Sequence, residues 1–273
     1  MDAIQAIVLG IVQGLTEFLP ISSTGHLLLV PTFFGWGDPG AAFTAVTQLG
    51  TMAAVLLYFR ADLWRITKTW TLSLRRPELR SELDARMGWY IGLGTIPIAV
   101  FGFVFRDQIE TGARSLYLVG TTLIVLGLLL LLADRTAKLE RDVSDLRPRD
   151  AAFIGFAQAL ALIPGVSRSG ATMTAGLLAG FDRASAARYS FLLSVPAVVL
   201  SGVFEARKIG GEGAEGFVPT ALATIAAFVV GYASIAWLLR WLTTHSMAIF
   251  VVYRVALGAI TIALTAAGTI SAS

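Results

Sequence analysis

Two polar interruptions of apolar runs limit what this chain can fold into. The first, Glu17-Phe18-Leu19-Pro20-Ile21-Ser22-Ser23-Thr24-Gly25-His26, sets an acid, three hydroxyls, a glycine and a histidine at the end of an apolar N-terminal segment. The second, Ile163-Pro164-Gly165-Val166-Ser167-Arg168-Ser169-Gly170-Ala171-Thr172, interrupts another such run and carries an arginine. With 56% hydrophobic residues, 14% charged and a mean hydropathy of +0.74, the chain has more apolar surface than a soluble core hides, so its solvent is lipid. At membrane depth, irregular backbone is tolerated only where protein buries it or it lines a polar cavity. The two interruptions are therefore read as parts of one internal site.

Read in order, residues 3 to 34 are predicted to form two short helices in a re-entrant hairpin, because Gly25 to Phe34 falls short of the roughly 20 residues that span a bilayer. The run from Ala3 to Leu19 contains Gln13, Thr16 and Glu17 and lacks a basic leader, so it is expected to stay in the fold rather than act as a cleaved signal. Gly35, Gly37, Asp38, Pro39 and Gly40 predict a turn. Spans are expected at Ala41 to Phe59, Met87 to Phe105, Leu116 to Ala133, Tyr189 to Phe204, Phe217 to Leu239 and Met247 to Ala267. Ala151 to Ile163 and Gly170 to Phe181 form the second short-helix hairpin, and Arg106 to Ser115 a short outer loop. Arg60 to Arg86, with seven basic residues and four acids, and Asp134 to Asp150, with five of each, are read as cytoplasmic loops. In this topology the inner loops hold fifteen basic residues and the outer loops four. The fold expected is an all-α polytopic membrane protein, one domain over 1–273, with about six spans plus two re-entrant hairpins. Its halves, 1–133 and 151–273, are joined by the loop 134–150.

A shift of 145 residues places Gly10, Gln13, Leu15, Ser22 and Gly25 on Gly155, Gln158, Leu160, Ser167 and Gly170. Each half reads as one hairpin plus three spans, and an odd number of spans inverts the second copy. That is the inverted-repeat plan, in which broken helices meet near the bilayer midplane.

The chemistry follows from the residue types. Gln13 and Glu17, four apart, share a helix face. Pro20 ends the first helix, and Ser22, Ser23 and Thr24 are good caps for the next. Pro164 and Gly165 repeat the break, with Ser167 or Ser169 as cap. Two helix N-termini with free amides make an anion site, to which Arg168 adds a full charge and a planar donor fork. Arg168 and Glu17 can equally form a structural ion pair, since a central arginine costs about 2.5 to 3.5 kcal/mol without a partner. His26 is either a satisfied buried histidine or, beside Ser23 and Glu17, a proton-transfer group. Ser22, Ser23, Ser167, Ser169 and Thr172 act as caps and phosphate donors, with one a candidate nucleophile. Gln48 and Arg254 are weaker candidates, explained by interhelical hydrogen bonding and by a snorkelling or paired charge. Tyr189 and Trp237 fit interfacial belts. Cysteine is absent, which excludes disulfides and zinc-thiolate sites. A hard cation, magnesium or calcium, held by Glu17 and phosphate oxygens suits the oxygen ligands available. Basic residues confined to a few loops point to a membrane surface rather than nucleic acid.

Gln13-Gly14-Leu15-Thr16-Glu17-Phe18-Leu19-Pro20-Ile21-Ser22-Ser23-Thr24-Gly25-His26 and Pro164-Gly165-Val166-Ser167-Arg168-Ser169-Gly170-Ala171-Thr172 resemble the two motifs of the undecaprenyl-pyrophosphate phosphatases, the bacitracin-resistance proteins of bacteria. The resemblance extends over the Gln48-Leu49-Gly50 region, the Pro196 span and the helix order of essentially the whole chain. It implies hydrolysis of undecaprenyl pyrophosphate to the monophosphate and phosphate in the bacterial inner membrane, recycling the lipid carrier for the cell wall and conferring bacitracin resistance. Position 13 carries Gln where some relatives carry Glu, so Glu17 is expected to act without a second carboxylate. The expected catalytic set is Glu17, Ser23, His26 and Arg168. Gln13, Ser22, Thr24, Ser167, Ser169 and Thr172 are expected to bind the substrate, with a homodimer as the assembly entertained. The rival class is a transporter or flippase of an anionic lipid, because broken helices at the midplane also serve transport.

Overall fold

The structure, a computed structural model, describes residues 1–37, 40–105, 115–206 and 217–271. Among them there are eleven α-helices and no strand beyond one bridge between Arg141 and Phe181. The helices are α1 (Ala3–Phe18), α2 (Ser23–Phe34), α3 (Gly40–Tyr58), α4 (Arg60–Ser73), α5 (Leu83–Val104) and α6 (Leu116–Thr136), followed by α7 (Pro148–Ala159), α8 (Arg168–Leu178), α9 (Arg183–Ala206), α10 (Phe217–Trp241) and α11 (Ala248–Ala266). Asp38 and Pro39 of the expected turn, and all but the last residue of the expected Arg106–Ser115 loop, lie outside the described residues. Among the described residues four helices, α5, α6, α10 and α11, are long and apolar enough to cross a membrane, as expected of a multi-pass membrane protein.

Both breaks follow from their prolines. Leu19, ahead of Pro20, is extended at ψ 144°, and Ile163, ahead of Pro164, at ψ 122°, the geometry a following proline imposes. Each helix therefore stops short of its proline, the second through a 3-10 turn at Leu160–Leu162. The helix packing is reciprocal: α1 runs along α10 while α7 runs along α5, and α3 packs on α10 while α9 packs on α5. Within each long pair a glycine lets backbones meet. A Cβ on Gly10 would lie 2.3 Å from the Ala223 carbonyl, and one on Gly155 would lie 2.7 Å from Gly94 Cα. The pairs α6–α11 and α3–α9 also pack together.

The charged loops are more ordered than expected. Much of the Arg60–Arg86 loop is helix α4, and Pro77–Ser81 adds a 3-10 turn. Counting charges hid an amphipathic stripe, Leu63, Ile66, Trp70 and Ser73, at helical spacing. Its buried members Ile66 and Ser73 lie on a helix packed against α5. In the 134–150 segment two acids are buried rather than solvated. Asp134 accepts from Arg183 at 2.5 Å and from the Met247 amide at 3.1 Å, while Asp150 pairs with Arg141 and accepts the Arg147 amide at 3.1 Å. These clips extend α6 to Thr136 and start α9 at Arg183, ahead of the expected boundaries. Tyr189, expected in an interfacial belt, is instead buried and donates its hydroxyl to the Tyr90 carbonyl at 3.3 Å. Trp237 is half-exposed and stacks on Trp241.

Candidate active site

The helices that follow the breaks begin in the same way. Ser22 caps α2 by accepting the Gly25 amide at 3.3 Å, and Ser167 caps α8 by accepting the Gly170 amide at 3.1 Å. Both caps have left-handed backbone, φ 76° and 71°, a strained state for a residue with a Cβ and one that clusters at functional sites. Next after each cap stand two amides, Ser23 and Thr24 or Arg168 and Ser169, that donate to no acceptor among the described residues. They are the orphan donors of helix N-termini, with the positive end of each dipole behind them.

Glu17 lies between the two ends. Its Oε2 accepts from Ser23 Oγ at 2.7 Å and from Gln13 Nε2 at 3.1 Å, and its Oε1 is ion-paired with Arg168 Nη2. The expected helix-face pairing of Gln13 with Glu17 is thus present, and so is the ion pair. Glu17 and Gln13 are buried, Ser23 is half-buried and Thr24 is exposed, so the cluster opens at Ser23 and Thr24. Chemically, this sets a serine hydroxyl on a carboxylate that can take its proton, next to a guanidinium and free amides suited to phosphate oxygens.

The remaining hydroxyls hold the frame. Ser22 and Thr24 share a contact at 3.3 Å, and Ser167 and Ser169 the matching one at 3.1 Å. Ser169 also donates to the Leu19 carbonyl of the first break at 3.0 Å. Thr172 is turned away toward α9, where it meets Ser190 at 2.6 Å. Gln48 contributes its carbonyl, accepting from Thr51 at 2.9 Å.

Arg254 does not snorkel, and among the described residues it forms no ion pair. Fully buried at 0% exposure, it donates to the carbonyls of Pro20 at 3.0 Å, Gly165 at 3.1 Å and Val166 at 3.0 Å, and to Leu123 on α6 at 3.2 Å. One guanidinium thereby ties both breaks to α6. Gly170 leaves room for it, since a Cβ there would lie 2.7 Å from Arg254 Nη1. The sequence signal was present: Arg254 is the single charged residue of α11, and an arginine in an apolar run needs strong partners. What it could not show is that the partners are carbonyls.

His26 does not reach Ser23. Its Nδ1 lies 2.7 Å from the Ser22 carbonyl, which can only accept, so Nδ1 carries the proton. Nε2 then accepts from the Tyr253 hydroxyl at 2.7 Å. Tyr253 was missed because a tyrosine in an apolar helix reads as packing.

For a hard cation the donors are oxygen atoms. Gln13 Oε1 is buried next to the Glu17 carboxylate without a hydrogen-bond partner among the described residues, and with Ser23 Oγ this set fits magnesium or calcium in type. Among the described residues no group of three or more His, Cys, Asp and Glu forms a metal cluster, so a cation here would draw the rest of its shell from substrate and water.

Residues 6–260 match the profile of the family described as bacitracin resistance protein BacA. The chain is 59% identical to the undecaprenyl-diphosphatase of a Nocardioides species over 273 residues, covering all of both chains. It is 53% identical to the undecaprenyl-diphosphatase of Thermobifida fusca over 99% of this chain and 93% of the relative. Identity to undecaprenyl-diphosphatase 3 of Frankia alni is 54%, over 100% and 98% of the two chains. Given a profile match over most of its length and relatives aligned end to end, the chain belongs to the bacitracin resistance protein BacA family.

Proposed function

We propose that the chain hydrolyses undecaprenyl pyrophosphate to undecaprenyl phosphate and inorganic phosphate, recycling the lipid carrier of cell-wall synthesis and so conferring resistance to bacitracin. The observation that carries this reading is the relay Ser23–Glu17–Arg168, set between two capped helix ends whose first amides are free. Ser23 Oγ attacks the terminal phosphorus as its proton passes to Glu17. The bond from phosphorus to the bridging oxygen breaks, and undecaprenyl phosphate leaves with the electron pair and takes the proton from Glu17. Arg168 swings from Glu17 to the phosphate oxygens and, with the four amides, stabilises the developing charge. Water, deprotonated by Glu17, then attacks the phosphoserine, and Ser23 departs with that proton as phosphate is released. His26, Ser22, Ser167 and Ser169 position the two helix ends, and Thr24 at the mouth meets the incoming head group.

A magnesium or calcium ion would be held by Glu17 and Gln13, and when bound would neutralise pyrophosphate charge. On architecture, the reading takes α3 and α9 as the remaining two of six spans, with α1–α2 and α7–α8 as re-entrant hairpins of an inverted repeat over 1–133 and 151–273. The reciprocal packing of the halves and the matched serine caps support it. The membrane is the bacterial inner membrane.

The test is phosphate release from undecaprenyl pyrophosphate by the purified chain in detergent. Turnover without a membrane gradient is the expected result. Substrate movement in vesicles with no phosphate released would favour the transporter reading instead.

A further inference from the structure

Outside the polar site, a surface-open apolar groove of about 680 Å³ lies among α5, α6, α7 and α8, with Phe156, 59% exposed, and Leu178, 54% exposed, among its lining residues. Phe101 of α5 and Phe156 of α7 form its walls, and alanines such as Ala157 and Ala175 leave the space between them. Thr174 is its one polar lining residue, and that hydroxyl is already donated to the Gly170 carbonyl at 2.7 Å. Whatever occupies the groove is therefore aliphatic along its length, with any polar head outside.

Two stripes show where that head would be. On α6, Thr122 donates to the Pro164 carbonyl of the second break at 2.7 Å, and Leu126 and Leu129, four and seven residues on, line the groove. On α8, Arg168 opens the helix, and Ala171, Ala175 and Leu178 line the groove three, seven and ten residues on. These spacings keep each stripe on one helix face. At 1.5 Å per residue, Ala171 lies about 4.5 Å and Leu178 about 15 Å along the axis from Arg168. Both walls thus start at the second break, one of them at the arginine that faces Glu17.

We infer that this groove seats the first prenyl units of the substrate, those nearest the pyrophosphate, so that the α5–α8 side rather than open bilayer receives the tail. The inference rests on the pyrophosphatase reading. A chain held there by several methyl-branched units adds binding energy that a single prenyl unit lacks.

The test compares kcat/KM for farnesyl and isopentenyl pyrophosphate on the full chain in detergent. Wild type is expected to favour the farnesyl compound, and Ala157→Phe, which fills the groove, to lower that farnesyl-to-isopentenyl ratio at least about tenfold. A ratio left at the wild-type value would overturn the assignment. Wild type inactive on every prenyl pyrophosphate would instead remove the pyrophosphatase reading, and the groove's role with it. Photolabelling of unmodified protein with a farnesyl pyrophosphate whose prenyl chain is photoreactive removes any dependence on the variant's folding. Labels on α7 and α8 that excess undecaprenyl phosphate suppresses are expected. Labels confined to other helices, or suppressed by phospholipid alone, would assign the groove to membrane lipid and end the proposal.

Discussion

Ser22 and Ser167, 145 residues apart, hold the same left-handed backbone and cap the amide three residues ahead, at 3.3 and 3.1 Å. Each combines a favourable cap with an unfavourable φ. Losing a serine cap costs about 1 kcal/mol, and a left-handed residue with a Cβ costs about 1–2 kcal/mol relative to glycine. Ser167→Ala loses the cap and keeps the strain, whereas Ser167→Gly loses the cap and relieves it. Thermal unfolding in detergent should therefore rank wild type and Ser167→Gly close together and Ser167→Ala below both. Equal loss in the two variants would show that the backbone state is unstrained there.

Ser23 and Glu17 yield a chemical prediction. If Ser23 is the nucleophile, Ser23→Ala should reduce phosphate release by about a thousandfold or more, and acid quenching of the wild type with substrate labelled at the terminal phosphate should trap a phosphoserine. Glu17→Gln should fall by a comparable factor, since the amide cannot accept the Ser23 proton. A Ser23→Ala enzyme reduced only a few-fold would exclude the covalent route and leave water as the direct attacker.

How far the sequence discloses this molecule depends on whether a feature is local. The breaks, caps and Gln13–Glu17 pair were legible because proline, serine and four-residue spacing act within one or two helix turns. The meeting of Glu17 with Arg168 could be inferred only from the cost of lone charges in lipid, which demands a partner without naming it. Helix α4 was obscured because its charges outweighed its apolar stripe in a topology count. The burial of Tyr189, the Tyr253 contact with His26 and the carbonyl ligands of Arg254 all join residues more than 80 positions apart. No periodicity records such contacts.

Arg254 predicts a failure of architecture rather than of chemistry. Arg254→Met leaves the Pro20, Gly165 and Val166 carbonyls without this donor in a buried setting, at about 1–3 kcal/mol for each unpaired group. Removing the buried charge offsets part of that. The expected result is a clear drop in unfolding temperature together with lost turnover, and Arg254→Lys, which keeps the charge but not the fork, should recover neither fully. A Met variant as stable as wild type would show that the breaks hold their shape without this guanidinium.

Tyr253→Phe separates two roles for His26. The variant keeps the ring, whose plane lies within 9° of the imidazole's, but removes the hydroxyl bound to Nε2. If His26 only positions Ser22 through Nδ1, kcat should fall by no more than about tenfold with the shape of the pH–rate profile retained. If Nε2 instead passes protons during turnover, one limb of that profile should move. His26→Asn, whose amide can donate to the Ser22 carbonyl, should retain most activity in the first case and lose it in the second.

Gln13 decides the question of the cation. Its Oε1 is buried with no hydrogen-bond partner among the described residues, while its Nε2 donates to Glu17. Rotating the amide by half a turn would aim two oxygens at each other, an arrangement that needs a cation or a proton between them. Gln13→Glu adds a carboxylate at that point, so if a divalent ion sits between positions 13 and 17 the variant should bind calcium or magnesium more tightly and reach half-maximal activity at lower metal. Without an ion, the second carboxylate repels Glu17 and competes for Arg168, and activity should fall whatever the metal supplied. Wild-type turnover should stop in a strong chelator and return on adding either ion, and undiminished turnover in the chelator would leave charge neutralisation to Arg168 and the helix ends.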